Sequence, residues 1–301
     1  MKERRYRDGR DVALLQDFNA AAISATDGCG FIHPGDVPHR LFNGNKLYDP
    51  AEVLTIWEDP SGIAGWVMAS PRHRGYDAQV RPDLRTGPFE KEILEYAEEQ
   101  VRTLMRRHGI EGEQLGGDAY RCDTTRAALL TELGWIPDGD PPWVLNRARL
   151  SGVAEPALPK GYTIRAVRGV ADAEALADVH AVSFGSTWTP ELYEKVMRSP
   201  GYAVDREFVV EATDGALSAF AVTWHDHRNR MGLFEPVGTH SDHRRRGLGK
   251  ALLLFAMNAM AAAGMEYATV ANEGTNDASR ALYASVGFAP WHLLDGYTKP
   301  V

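Results

Sequence analysis

Apolar and polar positions along this chain recur in two rounds of one plan. The second round is the clearer. Tyr162-Thr-Ile-Arg-Ala-Val167 alternates with a period of two and predicts a short strand. Asp172 to Phe184 carries apolar residues at helical spacing, and Thr189-Pro190 supplies a cap and a first-turn proline for another helix over 191–197. Phe208-Val-Val-Glu-Ala212 and Leu217-Ser-Ala-Phe-Ala-Val-Thr-Trp224, on either side of Asp214-Gly215, predict a hairpin. A further apolar run, Met231-Gly-Leu-Phe-Glu-Pro-Val-Gly-Thr239, has strand character. Helical patterning follows from Lys250 to Ala263, then an apolar stretch at Tyr267–Ala271 and a helix at 277–285. The predicted order is β-α-α-β-β-β-α-β-α-β.

The first half repeats this plan with weaker signals. Arg4-Arg-Tyr-Arg parallels the start at Tyr162, and Val53–Trp57 with Ile63–Ala69 parallels the hairpin. Val80–Gly87 followed by a helix from Phe89 to Arg107 parallels the loop and helix after Thr239. Thr124–Leu133 ends on Gly134-Trp135, the counterpart of Gly287-Phe288. A tandem duplication follows, with domains at 1–150 and 161–301. The Pro/Gly-rich stretch Ser151–Gly161 reads as their linker.

Composition changes the picture only in part. With 44% hydrophobic and 25% charged residues, the 301-residue chain reads as an ordinary globular protein of two domains. No apolar stretch reaches membrane-spanning length, and the N-terminus lacks the apolar core of a signal peptide. Two cysteines, Cys29 and Cys122, are far apart in sequence, which predicts a reduced, cytoplasmic setting in which neither serves the structure. A net charge of −8 argues against nucleic-acid binding and suits a cationic or neutral co-substrate.

Against that acidic background stands the basic loop Arg244-Arg-Arg-Gly247-Leu-Gly249, between a strand and a helix N-terminus. Unpartnered amides, the helix dipole and three arginines there form a polyphosphate cradle. Gly247-Leu-Gly-Lys250-Ala251 is not a Walker A loop, because Ala251 replaces the Mg²⁺-holding Ser/Thr. Nor is it a dinucleotide fingerprint, because Leu252 replaces the third glycine.

The loop resembles motif A of the GNAT acetyltransferase superfamily, Arg/Gln-x-x-Gly-x-Gly/Ala. Asn276-Asp-Ala-Ser279-Arg-Ala-Leu-Tyr283-Ala-Ser-Val-Gly287-Phe288 resembles its motif B, with Ser279 in place of the usual Ala. The resemblance implies an α/β fold of two tandem GNAT-like domains. Each would have a mostly antiparallel sheet, flanking helices and a splayed pair formed by its fourth and fifth strands. It implies acetyl-CoA as co-substrate and no metal. The pyrophosphate would be held by the loop from Arg244, Arg245 and Arg246 through Gly247, Leu248, Gly249 and Lys250. The tandem plan resembles that of the mycothiol synthase family and other tandem GNAT enzymes, in which one half is typically degenerate. The first half fits the degenerate role: Pro88, Phe89 and Glu90 stand where glycine and donors are needed, Leu130 stands for Tyr283, and Asp123 for Asn276.

Acetyl transfer to an amine needs a polarised carbonyl, a deprotonated amine and a stabilised thiolate. Pro236 and Gly238 are odd inside a regular central strand and predict a bulge with a splayed neighbour. By resemblance, Val237 and Thr239 supply backbone groups to the acetyl arm. Glu235, two residues before Val237, is the candidate base, or else an anchor for a substrate cation. Tyr283 would protonate the leaving thiolate, or pack under the sheet. Asn276 would contact the pantetheine arm, or cap the helix. Trp188, Trp224 and Trp291 read as acceptor walls or core, Asp226 and Asp295 as attractors of a cationic amine, and His225-Asp-His227 as a solvated turn. The expected reaction is acetylation of a small-molecule primary amine (antibiotic, amino sugar or polyamine-like) by direct attack in a ternary complex, without nucleic acid or membrane as partner. The alternatives are a protein N-terminal or lysine acetyltransferase, a mycothiol-synthase-like enzyme, and an acyl-CoA-binding module without turnover.

Overall fold

The computed structural model describes residues 1–301. In chain order the first half gives β1 (Lys2–Arg5), α1 (Gly9–Thr26), the short α2 (Asp36–Pro38) with a π-helical turn at His39–Gly44, α3 (Pro50–Val53), β2 (Leu54–Asp59), β3 (Gly62–Ser70), β4 (Gly75–Val80), α4 (Pro88–His108), β5 (Gln114–Tyr120), α5 (Thr124–Glu132), β6 (Ile136–Pro137) and β7 (Trp143–Arg149). The second gives β8 (Tyr162–Ala166), α6 (Ala173–Phe184), α7 (Pro190–Met197), β9 (Glu207–Ala212), β10 (Leu217–Asp226), β11 (Met231–Thr239), α8 (Leu248–Ala262), β12 (Tyr267–Asn272), α9 (Asp277–Ala284) and β13 (Ala289–Pro300). The second half thus follows the order read from its pattern, and the first half keeps the hairpin, the long helix and the later helix of the repeat.

The boundary between the repeats is not where the sequence suggests. One unit comprises residues 1–144, 273–275 and 292–301, and the other residues 145–272 and 276–291. The cause is an exchange of terminal strands. The last strand of the chain pairs antiparallel with β5, from Leu294 opposite Tyr120 to Pro300 opposite Gln114, and so completes the first unit. In the second unit β7 lies beside β12, where Asn146 Nδ2 donates to Val270 O at 3.2 Å and to Asn272 Oδ1 at 2.8 Å. Residues 151–161 have little regular structure, yet they belong to the second unit: Val153 and Leu158 pack on its core, and Asn258 Nδ2 reaches Ala154 O at 3.2 Å.

The second unit's sheet runs β8-β9-β10-β11 antiparallel and then adds β12 parallel to β11. Helix α8, apolar nearly all round, is buried through Leu252, Leu253, Ala256, Met257 and Met260. Its end is fixed by Gly264 in a left-handed turn and by Met265 N donating to Met260 O at 3.0 Å. On the other sheet face, α6 and α7 enclose Phe220, Trp188 and Tyr193. Fully burying each such large side chain contributes roughly 1.5–3 kcal/mol.

The first unit orders β1-β2-β3-β4 antiparallel beneath α1 and α4, around Trp66, Ile93, Leu94 and Trp135. Cys29 and Cys122 are joined in a disulfide with Cα atoms 6.2 Å apart. This corrects the expectation that neither cysteine serves the structure, and it is at odds with the reduced setting inferred from their spacing. Left-handed turns at Asp27, Gly28 and Gly30 carry Cys29 to Cys122, two residues past the end of β5, a proximity no sequence spacing announces.

At the start of α4 the chain sets its own carboxylate against the loop that leads into the helix. Glu90 is fully buried; its Oε2 accepts from Thr86 N at 2.8 Å. Its Oε1 accepts from Arg85 Nε at 3.2 Å and Arg126 Nε at 2.8 Å, and Arg85 also pairs with Asp123. Burial would raise the Glu90 carboxyl, but the charges of Arg126 and Arg85 overcome it and hold it below the usual range. Removing one partner of such a buried pair costs about 3–5 kcal/mol. Glu90→Ala is therefore expected to destabilise the chain by about that amount at neutral pH, read by urea unfolding. The contribution of a depressed carboxyl is present above its unfolded pKa and is lost as pH falls through the folded value, so the gap between parent and variant closes in acid. A variant as stable as the parent at pH 7 would refute this role.

Candidate functional site

In the second unit β11 and β12 begin as partners and then part. Their parallel register runs from Met231 opposite Tyr267 to Phe234 opposite Val270 and ends there. On its other side β11 stays with β10, but the register shifts: Ala221 faces Val237 and Thr223 faces Phe234, so Val222 stands against both Glu235 and Pro236. This is the bulge predicted from Pro236 and Gly238. The Glu235 carbonyl turns to Trp224, whose Nε1 donates to it at 2.8 Å. Gly238 is required by closeness, because a Cβ there would collide with the Phe220 ring and Ser183. Val237 is half-buried against the α8 side of the core, and Thr239 lies near Gly249.

Beyond Thr239 the basic loop makes one turn of 3-10 helix at Ser241–His243 and enters α8 through Gly247, whose φ of 80° only glycine adopts without cost. The first bond within the helix is Ala251 N to Gly247 O at 3.0 Å, so the amides of 248–250 precede the ladder. No side chain caps this end and no acidic residue lies in its first turn. Leu248 is 1% exposed, so only its backbone is available to a ligand.

The three arginines divide their work. Arg244 ties the loop down, donating to Thr239 O at 3.2 Å and Ser183 O at 3.1 Å. Arg246 donates to Tyr162 Oη at 2.8 Å and Asp242 O at 2.9 Å. Arg245, exposed and in a left-handed conformation (φ 61°), makes no side-chain hydrogen bond or ion pair. Open amides, absent acids and a free guanidinium fit a pyrophosphate.

Tyr283 lies on α9, 7% exposed, with its ring 6.0 Å from that of Phe288. Burial, and secondarily the charge of Glu235, pushes its phenol up to about 12, while a hydrogen bond with Ser279 works in the opposite direction. The phenol is thus protonated at any working pH, and a half-buried carboxylate lies within electrostatic reach of it. Asn276 takes the capping role: its Oδ1 accepts from Ser279 N at 3.0 Å.

Two expected acceptor groups are engaged elsewhere. Asp226 is buried and holds the β10–β11 turn, accepting from Arg228 N at 3.0 Å and Asn229 N at 3.2 Å. Asp295 belongs to the first unit and pairs with Arg121 at 2.5 Å. Trp188 is core, Trp224 supports the bulge, and the Arg147 guanidinium lies 4.2 Å from the Trp291 ring. Sequence reasoning missed Glu207. This wholly buried carboxylate on β9 accepts from Tyr193 Oη at 2.6 Å and also from Tyr202. It pairs in register with Val222, the residue facing the bulge, and burial raises its acid to about 7 although both phenols counter that. A single Glu ahead of Phe-Val-Val gives no pattern from which this could be read.

Comparison with known proteins agrees with the geometry. Residues 173–288 match the model of the Acetyltransferase (GNAT) family. A mycothiol acetyltransferase of Salinispora arenicola is 27% identical over 97% of this chain and 95% of its own. One from Actinosynnema mirum is 29% identical over 50% of this chain, and there the chain spans about half (52%) of the relative's length. A tandem GNAT protein from the clavulanic acid biosynthesis pathway superposes with a TM-score of 0.66 at 17% identity, covering 99% of this chain and 98% of its own, and so shares the fold.

The division among the arginines is testable by stability alone. Arg246→Ala, which removes two hydrogen bonds that anchor the loop, is expected to cost about 1 kcal/mol. Arg245→Ala is expected to stay within about 0.5 kcal/mol of the parent. Urea titrations of both variants check this, and equal losses would contradict the assigned division.

Proposed function

We propose that this chain, a member of the GNAT acetyltransferase superfamily by its second unit, transfers the acetyl group of acetyl-CoA to a primary amine of a small molecule. One observation carries the proposal: the open amide cradle of α8 and the parting of β11 from β12 occur in the same unit as Glu235 and Tyr283, the latter kept protonated beside the former's charge. In this reading the amides of 247–250, with Arg245, hold the pyrophosphate, and Arg244 and Arg246 shape the loop. Val237 and Thr239 offer backbone groups to the arm lying between the parted strands. Asn276 contributes the start of α9.

Glu235 takes a proton from the bound ammonium, and the freed amine attacks the thioester carbonyl. As the carbon–sulfur bond breaks, the Tyr283 hydroxyl gives its proton to the departing thiolate. The proton that the attacking nitrogen sheds on becoming an amide returns to the tyrosinate through water, while Glu235 gives its own proton to solvent. Acid catalysis of this kind is worth about 10²–10⁴ in rate. The first unit has no part in coenzyme binding in this reading, because Glu90 and its arginines fill the corresponding helix end. The likeness to mycothiol acetyltransferases over nearly the whole chain makes a mycothiol-type amine the specific acceptor to test first. The chain's acidic balance suits a cationic acceptor. No helix is long and apolar enough to cross a membrane.

Release of free thiol from acetyl-CoA across a panel of amines, amino sugars, polyamines and peptides tests the reaction. Tight coenzyme binding with no turnover on any acceptor would favour a binding module instead. Tyr283→Phe is expected to lower kcat by about 10²-fold or more while leaving acetyl-CoA affinity in place. Equal rates for parent and variant at every pH would remove Tyr283 from the mechanism. Glu235→Gln should also lower kcat, but its deficit should shrink as pH rises, because the amine then arrives already unprotonated. A deficit constant with pH would assign Glu235 to substrate anchoring.

A further inference from the structure

The first unit has kept a parting of its own. Strands β4 and β5 meet where Gly116 N donates to Arg74 O at 3.0 Å and where Gly75 packs on the Gly116 carbonyl. Beyond that point β4 pairs only with β3, and β5 only with β13. A cavity of about 40 Å³ lies along the gap, lined by Asp77 and Gln79 from β4 and by Asp118 and Tyr120 from β5. Strand alternation places the two β4 residues on one face of their strand and the two β5 residues on one face of theirs. At its far end Arg126 NH1 donates to Ala78 O at 3.2 Å and also pairs with Glu90, so the phosphate end is closed by protein charge.

The charges along this gap do not balance. Arg40 pairs with Asp77 and, at 3.4 Å, with Asp36. Asp118 is exposed at the mouth of the gap and has neither a hydrogen-bond donor nor an ion pair. The second observation is independent of the acids. Gln79 is 7% exposed, and its Oε1 is buried without any hydrogen-bond partner. A buried amide oxygen left unmet forfeits the hydrogen bond it makes with water in the unfolded chain. A carboxylate without a partner, an unmet amide oxygen and the unpartnered Tyr76 hydroxyl line one narrow gap. No group of three metal-ligating side chains is present. The volume holds about three water-sized groups, enough for an ammonium head and its first methylenes.

We propose that the gap between β4 and β5 is a second ligand site, for the ammonium head of a small primary amine, held by Asp118 and Gln79. The ammonium's N–H groups donate to the Asp118 carboxylate and to Gln79 Oε1, and its alkyl chain leaves by the mouth of the cleft. No bond is made or broken, and no coenzyme is involved.

Calorimetric titration of the full chain with n-butylammonium chloride tests this. The parent should bind one equivalent saturably. Glu235→Gln, altered in the other unit, should bind with the same affinity. Asp118→Asn and Gln79→Leu, each checked for folding by circular dichroism, should weaken binding tenfold or more. Asp118→Asn is near-isosteric at a side chain open to the cleft, and Gln79→Leu keeps the volume, so the two variants are independent probes. No saturable binding by the parent, unchanged affinity in both variants, or loss of binding in Glu235→Gln alone would each overturn the proposal.

Discussion

The amides at the first turn of a helix need acceptors from outside the helix, and the two units of this chain treat that constraint in opposite ways. In the first unit negative charge is internal. Glu90 reaches back to Thr86 N while Arg85 and Arg126 neutralise it. In the second unit the first turn of α8 contains no acid and no cap, and Lys250 stands at the third helical position, where α4 has Glu90. The same local geometry is closed by a carboxylate in one case and left for an anion in the other. Electrostatics at four or five residues thus separates the two units more sharply than their folds do.

Parting two strands has its own cost, because each abandoned backbone group needs another partner. In the second unit part of that cost falls on Trp224, whose indole N–H meets the Glu235 carbonyl just where the bulge lifts it from the ladder. The bulge leaves the Glu235 side chain half-buried within electrostatic reach of Tyr283. Burial and a neighbouring carboxylate act on a phenol in the same direction, toward the protonated form. The proposed acid and base therefore support each other: ionised Glu235 keeps Tyr283 charged with its proton, and a protonated Tyr283 places no second negative charge beside Glu235.

Much of this could be read from the chain, for identifiable reasons. The order of elements in the second half was legible because each carried its own periodicity and punctuation, as at Thr189-Pro190 and Asp214-Gly215. The bulge was legible because Pro236 and Gly238 contradict a regular central strand. The helix end at 247–250 was legible because glycine and arginine there have few other uses. What escaped were features set by pairs distant in sequence. Glu207 gains its significance from Tyr193 and Tyr202, Asp226 from the amides of its own turn, and Cys29 from Cys122, 93 positions away. Nothing local in any of these residues distinguishes a structural role from a chemical one.

The strand exchange escaped for a different reason. A repeat in sequence suggests that each copy contains all its own strands, and a cut near 150 would separate them. Yet residues 145–149, which follow the first copy's last helix, line β12 in the second unit, and residues 292–301 complete the first. A chain beginning at 161 would expose the edge of β12, with Asn146 no longer meeting Val270 O and Asn272 Oδ1. Open edges of central strands invite misassociation. The exchange therefore gives each unit a strand that the repeat in sequence assigns to the other copy, residues 145–149 in one case and 292–301 in the other.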